Sequence, residues 1–189
     1  MLTLFAGVLL WSAVHLLPAL APGVKSALVG RLGAQPYRGL YSLALLVALA
    51  MMIFGYRAAD WVMVFDPPAW AMHANNLLML ISVYLFAVGG MRRTWLGARL
   101  RHPMLAGALV WSGAHLLVNG DLASALLFGG MGVWSLAEMI AINRRDGAWT
   151  APKAAGAMME LRAGLGAVAV FAAIIFIHGW VLGVRPIPG

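Results

Sequence analysis

The chain has 189 residues, 63% of them hydrophobic and 10% charged, with a mean hydropathy of +0.89. So little polar surface excludes a soluble domain of this size and points to an all-α integral membrane protein. The absence of cysteine excludes disulfides, thiolate metal sites, iron–sulfur clusters and a covalent c-type haem, and the net charge of +7 is distributed in a way that argues against nucleic acid as a partner.

Six apolar segments follow one another: Leu2–Leu20, Gly39–Tyr56, Ala69–Gly90, Pro103–Val118, Leu122–Ile142 and Ala163–Val184. Each is long enough, or nearly so, to cross a hydrocarbon core of about 30 Å at about 1.5 Å per residue. The first lacks the basic start and cleavage site of a signal peptide and is expected to be retained. Pro18, Pro22 and Gly23 are expected to end it, and Asp66-Pro67-Pro68 to precede the third. Asn119-Gly120-Asp121 reads as a tight turn in which Asp121 caps the following helix, and Arg144-Arg145-Asp146-Gly147 closes the fifth segment.

Lys and Arg alternate between loops. Lys25, Arg31 and Arg38 follow the first segment, Arg92, Arg93, Arg99 and Arg101 the third, and Arg144, Arg145, Lys153 and Arg162 the fifth. Only Arg57 and Arg185 fall elsewhere. The positive-inside rule then makes those three loops cytoplasmic, which puts both termini on the periplasmic side of a bacterial inner membrane.

Ala6 to Leu17 aligns without gaps on Ala106 to Leu117, with eight of twelve positions identical, including Trp, Ser and His. A weaker echo relates Tyr41-Ser42-Leu43-Ala44 to Trp134-Ser135-Leu136-Ala137. The expected fold is therefore one membrane domain of six transmembrane helices, arranged as two inverted three-helix repeats, 1–90 and 103–184.

Each repeat carries one histidine, His15 and His115, and each projects to within about 5 Å of the bilayer midplane. Two imidazoles from antiparallel helices can hold the iron of a non-covalent haem b between them. Gly7, Trp11 and His15 share a helix face, as do Gly107, Trp111 and His115. The glycines are expected to leave room for a macrocycle edge and the tryptophans to pack on it. Ser12 and Ser112 can hydrogen-bond a propionate, the ring or their own helix. A plainer reading stays open for each residue: a membrane histidine bonds a neighbouring helix, a glycine permits close packing, and a tryptophan anchors at an interface.

A second-choice ligand pair is His73 with His178, both toward the outer third of the membrane, with Met72 as a competing ligand. His102, before Pro103, reads as a helix-start residue. Asn75, Asn76 and Glu138 are the other polar groups within apolar segments, and Glu138 is expected to pair with the cytoplasmic arginines in preference to carrying protons.

Several of these residues resemble the NnrU family. They are His15 with Pro18 and Arg31, then Gly33-x-x-x-Tyr37-Arg38-x-x-Tyr41-Ser42 and His102-Pro103. Trp111-x-x-Ala114-His115-Leu116-Leu117-x-Asn119-Gly120 and Leu127-Phe128-Gly129 complete the set. The family includes bacterial proteins named for clusters linked to nitrite and nitric oxide reduction, and is similar to the 15-cis-zeta-carotene isomerase, a membrane haem b protein. The resemblance implies haem ligation by His15 and His115. It departs at Ser112, where the isomerase has a cysteine, and a serine cannot supply a thiolate for ligand exchange.

Two classes of function are expected. One is a haem b protein with redox-linked chemistry, either an electron carrier with a redox partner protein or an isomerase-like enzyme. Its partner would be a hydrophobic polyene or quinone-like molecule reached through membrane lipid. The alternative is a non-enzymatic accessory protein for nitrite or nitric oxide reductase assembly or haem supply. A transporter is disfavoured by the scarcity of midplane charge.

Overall fold

The structure, a computed structural model, describes residues 1–91, 93–184 and 186, with the backbone alone at 181 and 182. Two of the basic residues in the loop pattern, Arg92 and Arg185, lie outside the described residues. The elements are α1 (Leu2–Leu20), α2 (Pro22–Leu32), α3 (Ala34–Arg57), α4 (Ala71–Gly90), α5 (Pro103–Val118), α6 (Leu122–Asp146) and α7 (Ala157–Leu182). Among the described residues, β pairing is limited to one isolated bridge between Met63 and Asp121.

Five helices, α1, α3, α4, α6 and α7, are long and apolar enough to cross a membrane. Large apolar side chains such as Phe54, Val133 and Phe176 are exposed, as on helices whose outer faces meet lipid. Both features suit a multi-pass membrane protein. The fourth expected span, α5, has 16 residues. At about 1.5 Å per residue it rises roughly 24 Å, short of a ~30 Å core.

The ends of several helices differ from the sequence reading. Pro18 lies inside α1, which continues to Leu20, and the break falls at Ala21. A proline in the last turn is tolerated because few residues beyond it depend on the helical hydrogen bonds it interrupts. Pro22 then starts α2, where its fixed φ suits a first helical position. This basic helix has no buried residue, so no apolar periodicity marks it in the sequence. Helix α3 begins at Ala34, before the expected Gly39, and α6 runs to Asp146, past Ile142. Helix α7 starts at Ala157, earlier than Ala163, and ends at Leu182.

The chain forms two compact units, Met1–Phe65 with Gly120–Gly147, and Asp66–Asn119 with Ala148–Gly189. They do not coincide with the sequence repeats 1–90 and 103–184, because α6 joins α1–α3 while α4 joins α5 and α7.

In the first unit α1 packs on α3 and α6. The contact with α3 is made through glycine. A Cβ on Gly55 would collide with the backbone of Leu4, and one on Gly7 would lie 2.9 Å from the Met52 amide nitrogen and 3.0 Å from the Ala48 carbonyl. Small residues allow this approach, which lipid-embedded helices use in place of a hydrophobic driving force. Asp121 caps α6 as expected, accepting from the Ser124 amide at 2.9 Å and from its hydroxyl at 2.5 Å. Tyr56 reaches the same hydroxyl from α3 at 2.8 Å.

In the second unit α4 packs on α5 and α7. The Ser82 hydroxyl donates to the Gly107 carbonyl at 2.8 Å, a buried bond between α4 and α5. Glu160 on α7 accepts from the Tyr84 hydroxyl and, at 2.7 Å, from the Trp95 amide, tying α7 to α4 and to the loop after it.

Candidate functional site

In the first unit α1 carries Gly7, Trp11, Ser12 and His15. His15 and Trp11 stand four residues apart on one helix face, and their ring centroids are 4.4 Å apart. The His15 Nδ1 lies 3.0 Å from the Trp11 carbonyl oxygen. A carbonyl only accepts, so Nδ1 carries the hydrogen and the neutral imidazole keeps its lone pair on Nε2.

Two rings from other helices complete the surroundings of His15. Trp134 of α6 approaches edge-on with centroids 4.9 Å apart, and Tyr41 of α3 lies at 6.1 Å, also edge-on. Trp11 and Trp134 meet each other at 5.7 Å in a T-shape. The indole Nε1 atoms of Trp11 and Trp134 are both buried without a hydrogen-bond partner. Buried polar atoms are rarely left so. Sequence reasoning did not assign Tyr41 or Trp134 to the site. The signal was present, because these two residues lead the weaker internal echo.

The second unit repeats the arrangement on α5. The His115 Nδ1 lies 2.9 Å from the Trp111 carbonyl oxygen, and the two rings are 5.0 Å apart. Ser112, one turn before His115, has a buried hydroxyl with no partner. Its counterpart Ser12 instead donates to the Val8 carbonyl of its own helix at 2.8 Å. Asn119 donates its side-chain amide to the His115 carbonyl at 2.8 Å and so closes the end of α5.

The glycines have a different use from the one expected. A Cβ on Gly7 would meet the backbone of α3, and one on Gly107 would lie 3.1 Å from the Ser82 carbonyl of α4. The space beside them is taken up by neighbouring helices, so they serve close packing and leave no gap for a macrocycle edge. The second-choice pair is not brought together either. His73 is exposed, the His178 Nδ1 is held by the Val184 carbonyl at 2.8 Å, and no contact between the two rings forms among the described residues. His178 instead lies within electrostatic range of His115.

Glu138 stands one turn along α6 from Trp134. It is 8% exposed, and its Oε2 has no hydrogen-bond partner. Arg145 lies within electrostatic range of Glu138, as expected for a cytoplasmic arginine, but no direct ion pair joins them among the described residues. Arg145 binds its neighbour Asp146, Nε to Oδ1 at 2.6 Å, and reaches the Pro18 carbonyl at 3.1 Å. The adjacent carboxylate is satisfied without burying the guanidinium, which makes it the less costly partner.

No set of three or more His, Cys, Asp or Glu is gathered among the described residues, so a bare ion has no cage here. Single imidazoles with a fixed tautomer are what a tetrapyrrole iron requires, since its macrocycle supplies the remaining ligands. Each of His15 and His115 offers one such imidazole.

Comparison with known proteins returned one family. The sequence profile described as NnrU protein matches residues 3–186, nearly the whole chain. No curated protein and no solved structure matches.

Proposed function

The chain belongs to the NnrU family, and we propose that it is a haem b-binding integral membrane protein in which His15 and His115 would hold the iron. The observation that carries this reading is the bond made by each histidine to the tryptophan four residues before it. Metal-binding histidines commonly donate their other ring nitrogen to a carbonyl in this way, which fixes the tautomer and raises the basicity of the ligating nitrogen. That both copies of the internal repeat make the same bond supports a shared task.

We further propose six spans, with α5 as the shortest, arranged as two inverted repeats in the bacterial inner membrane with both termini periplasmic. The distribution of Lys and Arg and the duplicated Trp-Ser-x-x-His support this arrangement. Bound haem would supply reversible one-electron chemistry. The chain's residues bind and orient it, exclude water, and present an aromatic wall of Trp11, Trp134 and Tyr41 beside His15. Such a setting suits an electron carrier, or an isomerase-like enzyme acting on an apolar polyene or quinone-like molecule that arrives through lipid.

The absorption spectrum of the purified protein tests the reading. Sharp α and β bands on reduction are expected, and are lost in His15→Ala and His115→Ala but kept in His102→Ala. Equal haem retention in all three variants would overturn the assignment. Substoichiometric haem that passes readily to an acceptor would favour an accessory role in haem supply.

A further inference from the structure

In the first unit an open cleft of about 600 Å³ lies where the end of α1, helix α2 and the start of α3 meet. Pro18, Lys25, Tyr37, Arg38, Tyr41 and Ser42 contribute to its walls. Three sources of positive potential converge there. The Lys25 ammonium and the Arg38 guanidinium make no ion pair or hydrogen bond among the described residues. The third is the N-terminus of α3, whose cap is Gly33 at φ 87, with no capping side chain and no acid in its first turn. Its unpaired amides and the helix dipole favour a negative group. The Tyr37 hydroxyl is buried without a partner and can donate as well.

The cleft also borders the His15 surroundings. Tyr41 lines it and has its ring 6.1 Å from the imidazole, and Pro18 stands one turn beyond His15 on α1. A ligand filling the cleft would reach Tyr41, the ring neighbour of His15, and would place an anionic end among Lys25, Arg38 and Tyr37. Haem b has that shape: an apolar macrocycle with two carboxylates on one edge.

We propose that this cleft receives the haem propionates, with Lys25 and Arg38 as their cationic partners and the Tyr37 hydroxyl as a hydrogen-bond donor. The proposal rests on the haem reading above and assigns these three residues a positioning role. Both cations are exposed, so each ion pair is screened and the combined effect on affinity is modest, about tenfold.

The test titrates the detergent-purified full chain with haem b and with haem b dimethyl ester, in which the carboxylates are blocked. Native protein is expected to bind the free acid about tenfold more tightly than the ester. Lys25→Gln with Arg38→Gln should erase that difference while the α and β bands stay in place, because the axial ligands are untouched. Tyr37→Phe should lower affinity for the acid less. Arg31→Gln removes a charge from the same basic helix outside the cleft and should preserve the preference, as should Lys25→Arg with Arg38→Lys. Equal binding of acid and ester by the native protein, or unchanged acid affinity in the double glutamine variant, overturns the proposal while leaving His15 and His115 as ligands. Loss of bound phosphatidylglycerol from that variant in native mass spectrometry, with haem affinity unchanged, also overturns it and assigns the cleft to a lipid headgroup. A native protein that takes up no haem removes both readings.

Discussion

Trp134 meets His15 edge-on across the α1–α6 contact, with ring centroids 4.9 Å apart and planes inclined by 63°. The tryptophan is 6% exposed. Replacing it with alanine removes both the ring contact and the bulk that separates the two helices. Trp134→Ala should destabilise the fold by roughly 3 kcal/mol or more, whereas Trp134→Phe keeps most of the packing and gives up only an unpartnered indole N–H. Unfolding in mixed detergent followed by circular dichroism measures the difference. Similar losses in both variants would show that the indole nitrogen has a partner after all.

Gly55 and Leu4 bring α3 and α1 together without room for a methyl group. Gly55→Ala pushes backbone against backbone, which no rotamer change relieves, and should destabilise by about 1–3 kcal/mol. Gly113 of α5 offers a contrast, because nothing lies within 4 Å of a Cβ built there. Gly113→Ala should be nearly neutral by the same circular dichroism measurement of unfolding in mixed detergent.

Asp121 accepts two hydrogen bonds from Ser124 and is 4% exposed. Asp121→Ala leaves the first turn of α6 uncapped and the buried Ser124 hydroxyl with one partner fewer. A loss of about 1–2 kcal/mol is expected. Asn at this position can accept from the Ser124 amide and should recover most of it. Hydrogen exchange at the α6 N-terminus reports on the cap directly, and unchanged protection there would count against this account.

The Ser82 hydroxyl bonds the Gly107 carbonyl between α4 and α5. Interhelical bonds of this kind in membranes average roughly 0.6 kcal/mol, so Ser82→Ala should have a small effect. Ser82→Val adds bulk beside Gly107 and should cost distinctly more, since the helices approach too closely to admit it. A competitive unfolding series on the two variants separates lost bonding from lost space.

Much of the helical framework was legible in the sequence. Helix α5 falls at the expected Pro103 and Val118, because proline at a first helical position and Asn-Gly-Asp after the end are strong local signals. The Asp121 cap follows from the same turn. Helix α2 was not legible, since a helix that buries nothing carries no periodic apolar stripe. The roles of Gly7 and Gly107 were misjudged for a related reason. A glycine marks a close approach, but its neighbours in sequence do not say whether a ligand or another helix arrives. Glu138 was expected to pair with the cytoplasmic arginines, and Arg145 does lie within electrostatic range of it, but the adjacent Asp146 takes the direct contact. His15 and His115 stood out through duplication, whereas Trp134 came beside His15 through packing that joins distant parts of the chain.

The make-up of the first unit bears on biogenesis. Residues 1–65 precede the whole of Asp66–Asn119, yet they pack with Gly120–Gly147. During synthesis α1 and α3 can pack on each other before α6 exists, and the Trp134 side of the His15 surroundings is completed only when α6 emerges. Translation proceeds at about 5–20 residues per second. The interval lasts some seconds, so the packing around His15 is completed late in synthesis.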